Sequence, residues 1–151
     1  MNSSLLFCSI RKEWVAALPE ETVRQRMLFY MINHKGFPAS LIAVEQSLKQ
    51  LPHLTSINRS KVPKRRADII CYAKDSVSGS LLRPLVIIEC KSVKLAPAIM
   101  NQVVGYNHFV GSKFIAIVNQ DEIRTGWYDH VKQDYEFVNY LPSYSELMAT
   151  M

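Results

Sequence analysis

Apolar residues first recur at helical spacing at Val23, Met27, Tyr30 and Met31, behind Pro19-Glu20-Glu21 and ahead of Gly36 and Pro38. Proline in the first turn and acids beside it suit the positive end of a helix dipole, so a helix is predicted over about Glu20 to Lys35. Leu41 to Leu48 (LIAVEQSL) alternates as a strand does, and the polar, basic stretch after it, broken by Pro52 and Pro63, reads as a loop. Ala67 to Lys74 (ADIICYAK) and Pro84 to Lys91 (PLVIIECK) read as two strands of a hairpin joined by a segment containing serine and glycine. From Pro97 the period becomes helical again. Ile99, Val103, Tyr106 and Val110 share a stripe that Gly111 ends, which predicts a second helix over about Ala96 to Val110. Lys113 to Asn119 (KFIAIVN) has strand length, Trp127-Tyr128 and Tyr135 to Val138 suggest a further hairpin, and a last short helix is expected around Pro142-Ser143-Tyr144.

The order helix, strand, strand, strand, helix, strand predicts an α/β fold: a mixed sheet flanked by helices, with a small C-terminal β extension. The chain has 151 residues, enough for one domain with a real core, and no repeat or linker divides it, so residues 1–151 are expected to form a single domain.

Side chains alternate along a strand, so in PLVIIECK Leu85, Ile87, Glu89 and Lys91 share one face while Val86, Ile88 and Cys90 share the other. In the preceding strand Asp68, Ile70 and Tyr72 share a face, and a hairpin can bring Asp68 to the Glu89 end of its partner. A Glu-x-Lys triplet alone commonly marks a solvated face with an ion pair of about 0–1 kcal/mol. Here the triplet follows Leu85 to Ile88, a run that reads as an interior strand, where charges are costly unless paired or functional. Two carboxylates on adjacent strands offer the hard oxygen ligands that Mg²⁺ prefers, and a nearby Lys91 can orient or deprotonate an attacking water. On the second helix Gln102 and Tyr106 are one turn apart and can brace Lys91 or touch a phosphate, although Tyr106 also lies on the apolar stripe and suits plain core packing.

Eighteen Lys and Arg against thirteen Asp and Glu give a formal charge of +5, which favours an acidic partner such as nucleic acid over a cationic one. Arg59, Lys61, Lys64, Arg65 and Arg66 crowd the loop leading to Asp68, a placement that can hold a phosphate backbone; the alternative is a solvated loop whose charges guard an apolar strand. Three cysteines, with no CxxC, support neither a disulfide framework nor a zinc site and point to a reduced cytoplasm. The N-terminus is a poor signal peptide and no apolar run approaches the roughly 18 residues of a membrane span. A soluble cytoplasmic protein is expected. His34, His53, His108 and His130 fit no metal spacing and are given no role.

Taken together, Ala67-Asp68, Glu89-Cys90-Lys91 and Gln102 to Tyr106 resemble the motif set of RecB-type PD-(D/E)xK nucleases. More narrowly, the stretch from Arg11 to Gln46 with RRADIICY, LVIIECK and NQVVGYN resembles the N-terminal nuclease domain of the R subunit of type I restriction enzymes. The resemblance implies a restriction-endonuclease-like αβββαβ core. It implies that Asp68 and Glu89 bind Mg²⁺, with Mn²⁺ as a substitute, that Lys91 activates water, and that Gln102 and Tyr106 support the site or the DNA. The Cys90 carbonyl is a further metal ligand by the same resemblance. An acid from the first helix often joins such sites, and Glu20 and Glu21 both stand in the matching segment. Ala67 stands where the family usually has proline, which shapes the strand without carrying a catalytic group. Such R subunits continue into an ATP-driven motor, but no GxxxxGK[ST] phosphate loop occurs here, and no ATP site is expected.

Two classes of function follow. One is a Mg²⁺-dependent DNA endonuclease; the other is a noncatalytic nucleic-acid-binding or assembly module on the same fold. Cutting both strands of a duplex from one site calls for a second copy, so a homodimer or partner subunits are expected, with no residue pattern that marks the surface.

Overall fold

The computed structural model of the chain describes residues 4–51, 62–74 and 82–150. It opens with two short strands, β1 (Leu5–Cys8) and β2 (Glu13–Ala16), paired antiparallel as a small separate sheet. The sequence pattern does not predict this hairpin. Only Cys8 of the eight residues is buried, and the four residues of β1 (LLFC) are all apolar, so the sequence carries no polar–apolar alternation there to mark a half-buried strand. Helix α1 (Pro19–His34) begins with Pro19 at its first turn and places Glu20 and Glu21 beside it. Its start and end fall within a residue of the predicted ones.

A six-stranded sheet follows, built from β3 (Ile42–Ser47), β4 (Arg66–Lys74), β5 (Leu82–Cys90), β6 (Phe114–Val118), β7 (Ile123–Asp129) and β8 (Asp134–Val138), in that spatial order. All neighbours are antiparallel except β5 and β6, which run parallel and are joined by helix α2 (Pro97–Val110). A parallel pair needs such a crossover. Gly111, at φ 70°, ends α2 with its amide bonded to the Asn107 carbonyl at 2.7 Å, a left-handed cap that glycine adopts without strain. The succession α1, β3, β4, β5, α2, β6 is the restriction-endonuclease-like αβββαβ core, and β7 and β8 are the C-terminal β extension. A short helix, α3 (Tyr144–Met148), closes the chain behind a Ser143–Glu146 capping box.

The central strands are covered on both sides, which explains their unbroken apolar runs. On one face Val23, Met27 and Met31 of α1 join Ile69, Cys71, Val86, Ile88 and Cys90. On the other, Val103, Tyr106 and Val110 of α2 join Ile70, Tyr72, Ile87, Ile115 and Ile117. Each fully buried isoleucine in this sandwich is worth about 1.5–3 kcal/mol of removed apolar surface.

Two predicted side-chain directions are corrected: Asp68 turns to Arg24 of α1 and not to the α2 side where Ile70 and Tyr72 pack, and Leu85 also changes face. Leu85 belongs with the α1 face and not with Ile87, because the β4–β5 register shifts between Cys71, opposite Val86, and Tyr72, opposite Pro84. The extra residue in β5 is a bulge, and it resets which side Leu85 faces. Beyond it the alternation holds, so Ile87 and Glu89 share the α2 side.

All three cysteines, Cys8, Cys71 and Cys90, are buried and unpaired. Among the described residues no helix is long and apolar enough to cross a membrane.

Candidate functional site

Antiparallel pairing brings the start of β4 to the end of β5. The register Ile69 to Ile88, continued by one residue, sets Asp68 opposite Glu89 where these two interior strands end. Both are buried, Asp68 with 8% and Glu89 with 5% of its surface exposed. Buried carboxylates need partners, and these have them. The Asp68 Oδ2 accepts the Cys90 backbone N–H at 2.8 Å, and Oδ1 accepts Nη2 of Arg24 from α1 at 2.8 Å. Glu89 Oε2 accepts the Tyr106 hydroxyl from α2 at 2.8 Å, and Oε1 accepts Nη2 of Arg65 at 3.1 Å, with the Lys91 Nζ 3.5 Å away. The two acids thus draw their side-chain partners from opposite faces of the sheet.

The electrostatics follow from this packing. Burial, with the negative charge of Asp68 added to it, raises the Glu89 pKa above the usual carboxylate value despite Tyr106, Arg65 and Lys91. Burial and then the Glu89 charge push the Tyr106 phenol far upward, so it remains a neutral donor to Glu89. Burial and then Asp68 also raise the Cys90 thiol well above its ordinary range; only its carbonyl is suited to a hard cation. Two carboxylates close enough to repel one another fit a divalent cation. Among the described residues no three or more His, Cys, Asp and Glu side chains form such a group, so waters and substrate oxygens would supply most ligands, as Mg²⁺ commonly has them.

A family model for the type I restriction enzyme R protein N terminus matches residues 19–142, a span that runs from the first residue of α1 past β8 and includes both acids. The chain belongs to this family. No curated protein and no solved structure matches it.

In this R protein N-terminal domain the two acids of α1 have different surroundings. Glu21 is buried and bonded to Arg11 at 2.6 Å, Arg24 at 2.9 Å and Gln25 at 3.2 Å. Burial opposes its ionisation, but the bonds from Arg11 and Gln25 and the charges of Arg24 and Arg11 outweigh that and hold its pKa below the ordinary value. Glu20 is exposed, and its charge is felt at Cys90. Glu20 is therefore the acid of the pair open to a ligand.

Gln102 is exposed one turn before Tyr106 and bonds to neither acid. Of the basic residues before β4, Lys64 and Arg66 are exposed, whereas Arg65 turns inward to Glu89. Lys61, like Arg59, lies outside the described residues. A groove of about 600 Å³, lined by Val23, Arg26, Tyr30, Asn119 and Arg124 among others, opens beside Val118, the β6 partner of Cys90.

Three residues of the network escape a reading of the sequence: Arg11, Arg24 and Glu45. Arg24 also bonds Glu45, its Nη2 lying 2.6 Å from Oε1. The register of β3 with β4, Val44 to Ile69 and Gln46 to Ala67, leaves Glu45 across from Asp68 with a φ of 57°. The one signal available was a charged residue, Arg24, directly after Val23 on the apolar stripe of the first helix.

Proposed function

We propose that this domain is a metal-dependent DNA nuclease of the PD-(D/E)xK type, hydrolysing phosphodiester bonds at Asp68, Glu89 and Lys91. The observation that carries the reading is the meeting of two buried carboxylates on facing positions of adjacent strands, with an ammonium 3.5 Å from one of them. Asp68, Glu89 and the Cys90 carbonyl would hold Mg²⁺, or Mn²⁺ in its place; bound there, the ion supplies Lewis-acid stabilisation of phosphate charge and eases deprotonation of water.

The remaining steps fall to the chain's own groups. Lys91 is partly exposed beside Glu89, so its ammonium can orient the attacking water and take part in proton transfer. Tyr106 and Arg65 fix the Glu89 carboxylate, one on each oxygen. Exposed Glu20 would add an outer acid, and exposed Gln102 would meet the substrate. Lys64 and Arg66, with Lys61 preceding them, would follow the phosphate backbone and make binding sensitive to salt. A second copy or partner subunits would serve cleavage of both strands, and three free thiols suit a reduced cytoplasm.

A second reading, a noncatalytic nucleic-acid-binding or assembly module, has its own supporting observation: Arg24 and Arg65 already compensate Asp68 and Glu89 without any cation. Incubating the purified protein with linear, nicked and single-stranded DNA separates the two. Cleavage that needs Mg²⁺ or Mn²⁺ and disappears in Lys91→Ala supports the nuclease. Salt-dependent binding with no cleavage, or cleavage undiminished in that variant, contradicts it.

A further inference from the structure

We infer that Arg24 is the internal counter-ion of Asp68, a positioning residue that holds this acid on the α1 side and whose charge a divalent cation must offset. The inference rests on the metal-site reading of Asp68 and Glu89.

Arg24 stands in the second turn of α1 with 8% of its side chain exposed, and it meets three carboxylates: Glu21 through Nη1 at 2.9 Å, Glu45 and Asp68 through Nη2 at 2.6 and 2.8 Å. One nitrogen is thus shared between Glu45 and Asp68. The Nε is buried with no partner, so the side chain leaves a donor unsatisfied in order to reach these acids through its two terminal nitrogens. Such an orphan is normally selected against, and the rigid guanidinium fork tolerates it here because both ends are anchored.

Glu45 shows the same priority. It is a non-glycine residue at φ 57°, a conformation that persists only where the surroundings over-determine it. Its carboxylate reaches Arg24, with Arg66 Nη1 at 3.6 Å as a weaker second partner. Glu21 is in turn shared with Arg11 at 2.6 Å. The cluster therefore fixes one guanidinium from three directions, and that guanidinium fixes Asp68, whose other oxygen is held by the Cys90 amide.

A cation on Asp68 would sit near this fixed positive charge and be repelled by it. Removing the charge has two opposite effects. Asp68, Glu45 and Glu21 lose their shared counter-ion and attract a metal more strongly, while Asp68 loses the contact that orients it. A structural arginine would weaken both properties together.

The test uses the full chain, with Mn²⁺ binding measured by titration calorimetry in the absence of DNA and folding checked by cooperative thermal unfolding. Arg24→Gln is expected to bind Mn²⁺ about threefold more tightly than wild type, and Arg24→Lys, which keeps the charge, about as wild type does. Mg²⁺-dependent cleavage by Arg24→Gln at saturating metal is expected to fall about tenfold through misplacement of Asp68. Should Arg24→Gln fail to fold, Arg24→Gln with Glu45→Gln is compared with Glu45→Gln alone, and the double variant is again expected to bind Mn²⁺ more tightly. Folded variants that bind Mn²⁺ no better than their references overturn the inference and leave the metal site standing. Failure of wild type and every variant to bind Mn²⁺ overturns the metal site and the inference with it.

Discussion

Arg65 lies over the ring of Tyr106, its guanidinium carbon 4.0 Å from the ring centroid, while both side chains bond to opposite oxygens of Glu89. A cation on an aromatic face and two donors on one carboxylate form a closed triangle that ties the loop before β4 to the end of β5 and to α2. Glu89 is held in place from two elements, and each contact is open to a separate test.

The Tyr106 hydroxyl bonds to the charged form of Glu89, so Tyr106→Phe should raise the Glu89 pKa further. At pH 7 the loss of a hydrogen bond to a charged, buried acceptor should cost about 1.5–3 kcal/mol, and less once Glu89 is protonated. Urea unfolding at pH 7 and at pH 4 measures both. The acid limb of any cleavage activity should move to higher pH in the same variant.

Glu89 itself, with its pKa raised by burial and by Asp68, favours the fold in its neutral form. That contribution is fully present below the unfolded carboxylate value and is lost as pH rises through the higher folded value. Glu89→Gln should therefore remove this pH dependence and stabilise the domain at pH 7 by about 1 kcal/mol while abolishing cleavage. Thermal melts from pH 4 to pH 8 would reveal it; a variant less stable than wild type at pH 7 would contradict the electrostatic picture.

Glu21 carries the opposite sign. Its lowered pKa gives stability that is present above the unfolded value and is lost as pH falls through the folded one. Glu21→Gln should cost roughly 2 kcal/mol at pH 7, less than a fully buried pair because its partners are partly open to solvent, and the difference from wild type should shrink in acid. Exposed Glu20→Gln should leave stability within about 0.5 kcal/mol and raise the metal concentration needed for cleavage. Denaturation curves set beside a metal titration distinguish the two acids.

Lys64 and Arg66 are exposed, so each, changed to alanine, should weaken DNA binding uniformly across sequences and reduce the log–log salt slope by about 1. Arg65→Ala should behave differently and impair cleavage more than binding, since its side chain is turned to Glu89. Fluorescence anisotropy over a range of salt concentrations, in EDTA, reads the binding half of this prediction.

The sandwich was legible in the sequence wherever burial imposed a period. The stripes Val23-Met27-Met31 and Val103-Tyr106-Val110, and the runs at Ile69-Ile70 and Leu85 to Ile88, mark helices and interior strands because both sheet faces are covered. The short β1–β2 hairpin lacked that imprint, and the bulge that turns Leu85 depends on strand pairing and leaves no composition signal. The pairing of Asp68 with Glu89 followed from hairpin register. The Arg24–Glu45–Asp68 contacts did not, since they join a helix and two strands far apart in the chain, and Glu45 takes a positive φ without the glycine or asparagine that would announce it. Arg65, read as a phosphate contact from its place in a basic run, bonds to Glu89, 24 residues along the chain, a contact that no local pattern marks.

The central claim is that Asp68 and Glu89 share a divalent cation, and a crystal of the protein soaked in Mn²⁺ tests it most directly through anomalous scattering. The account predicts one strong peak bonded to both carboxylates and to the Cys90 carbonyl, at about the 2.0–2.2 Å expected for a small hard cation. No peak at these acids in a crystal that binds Mn²⁺ elsewhere, with Arg24 still on Asp68 and Arg65 and Lys91 still on Glu89, would contradict it.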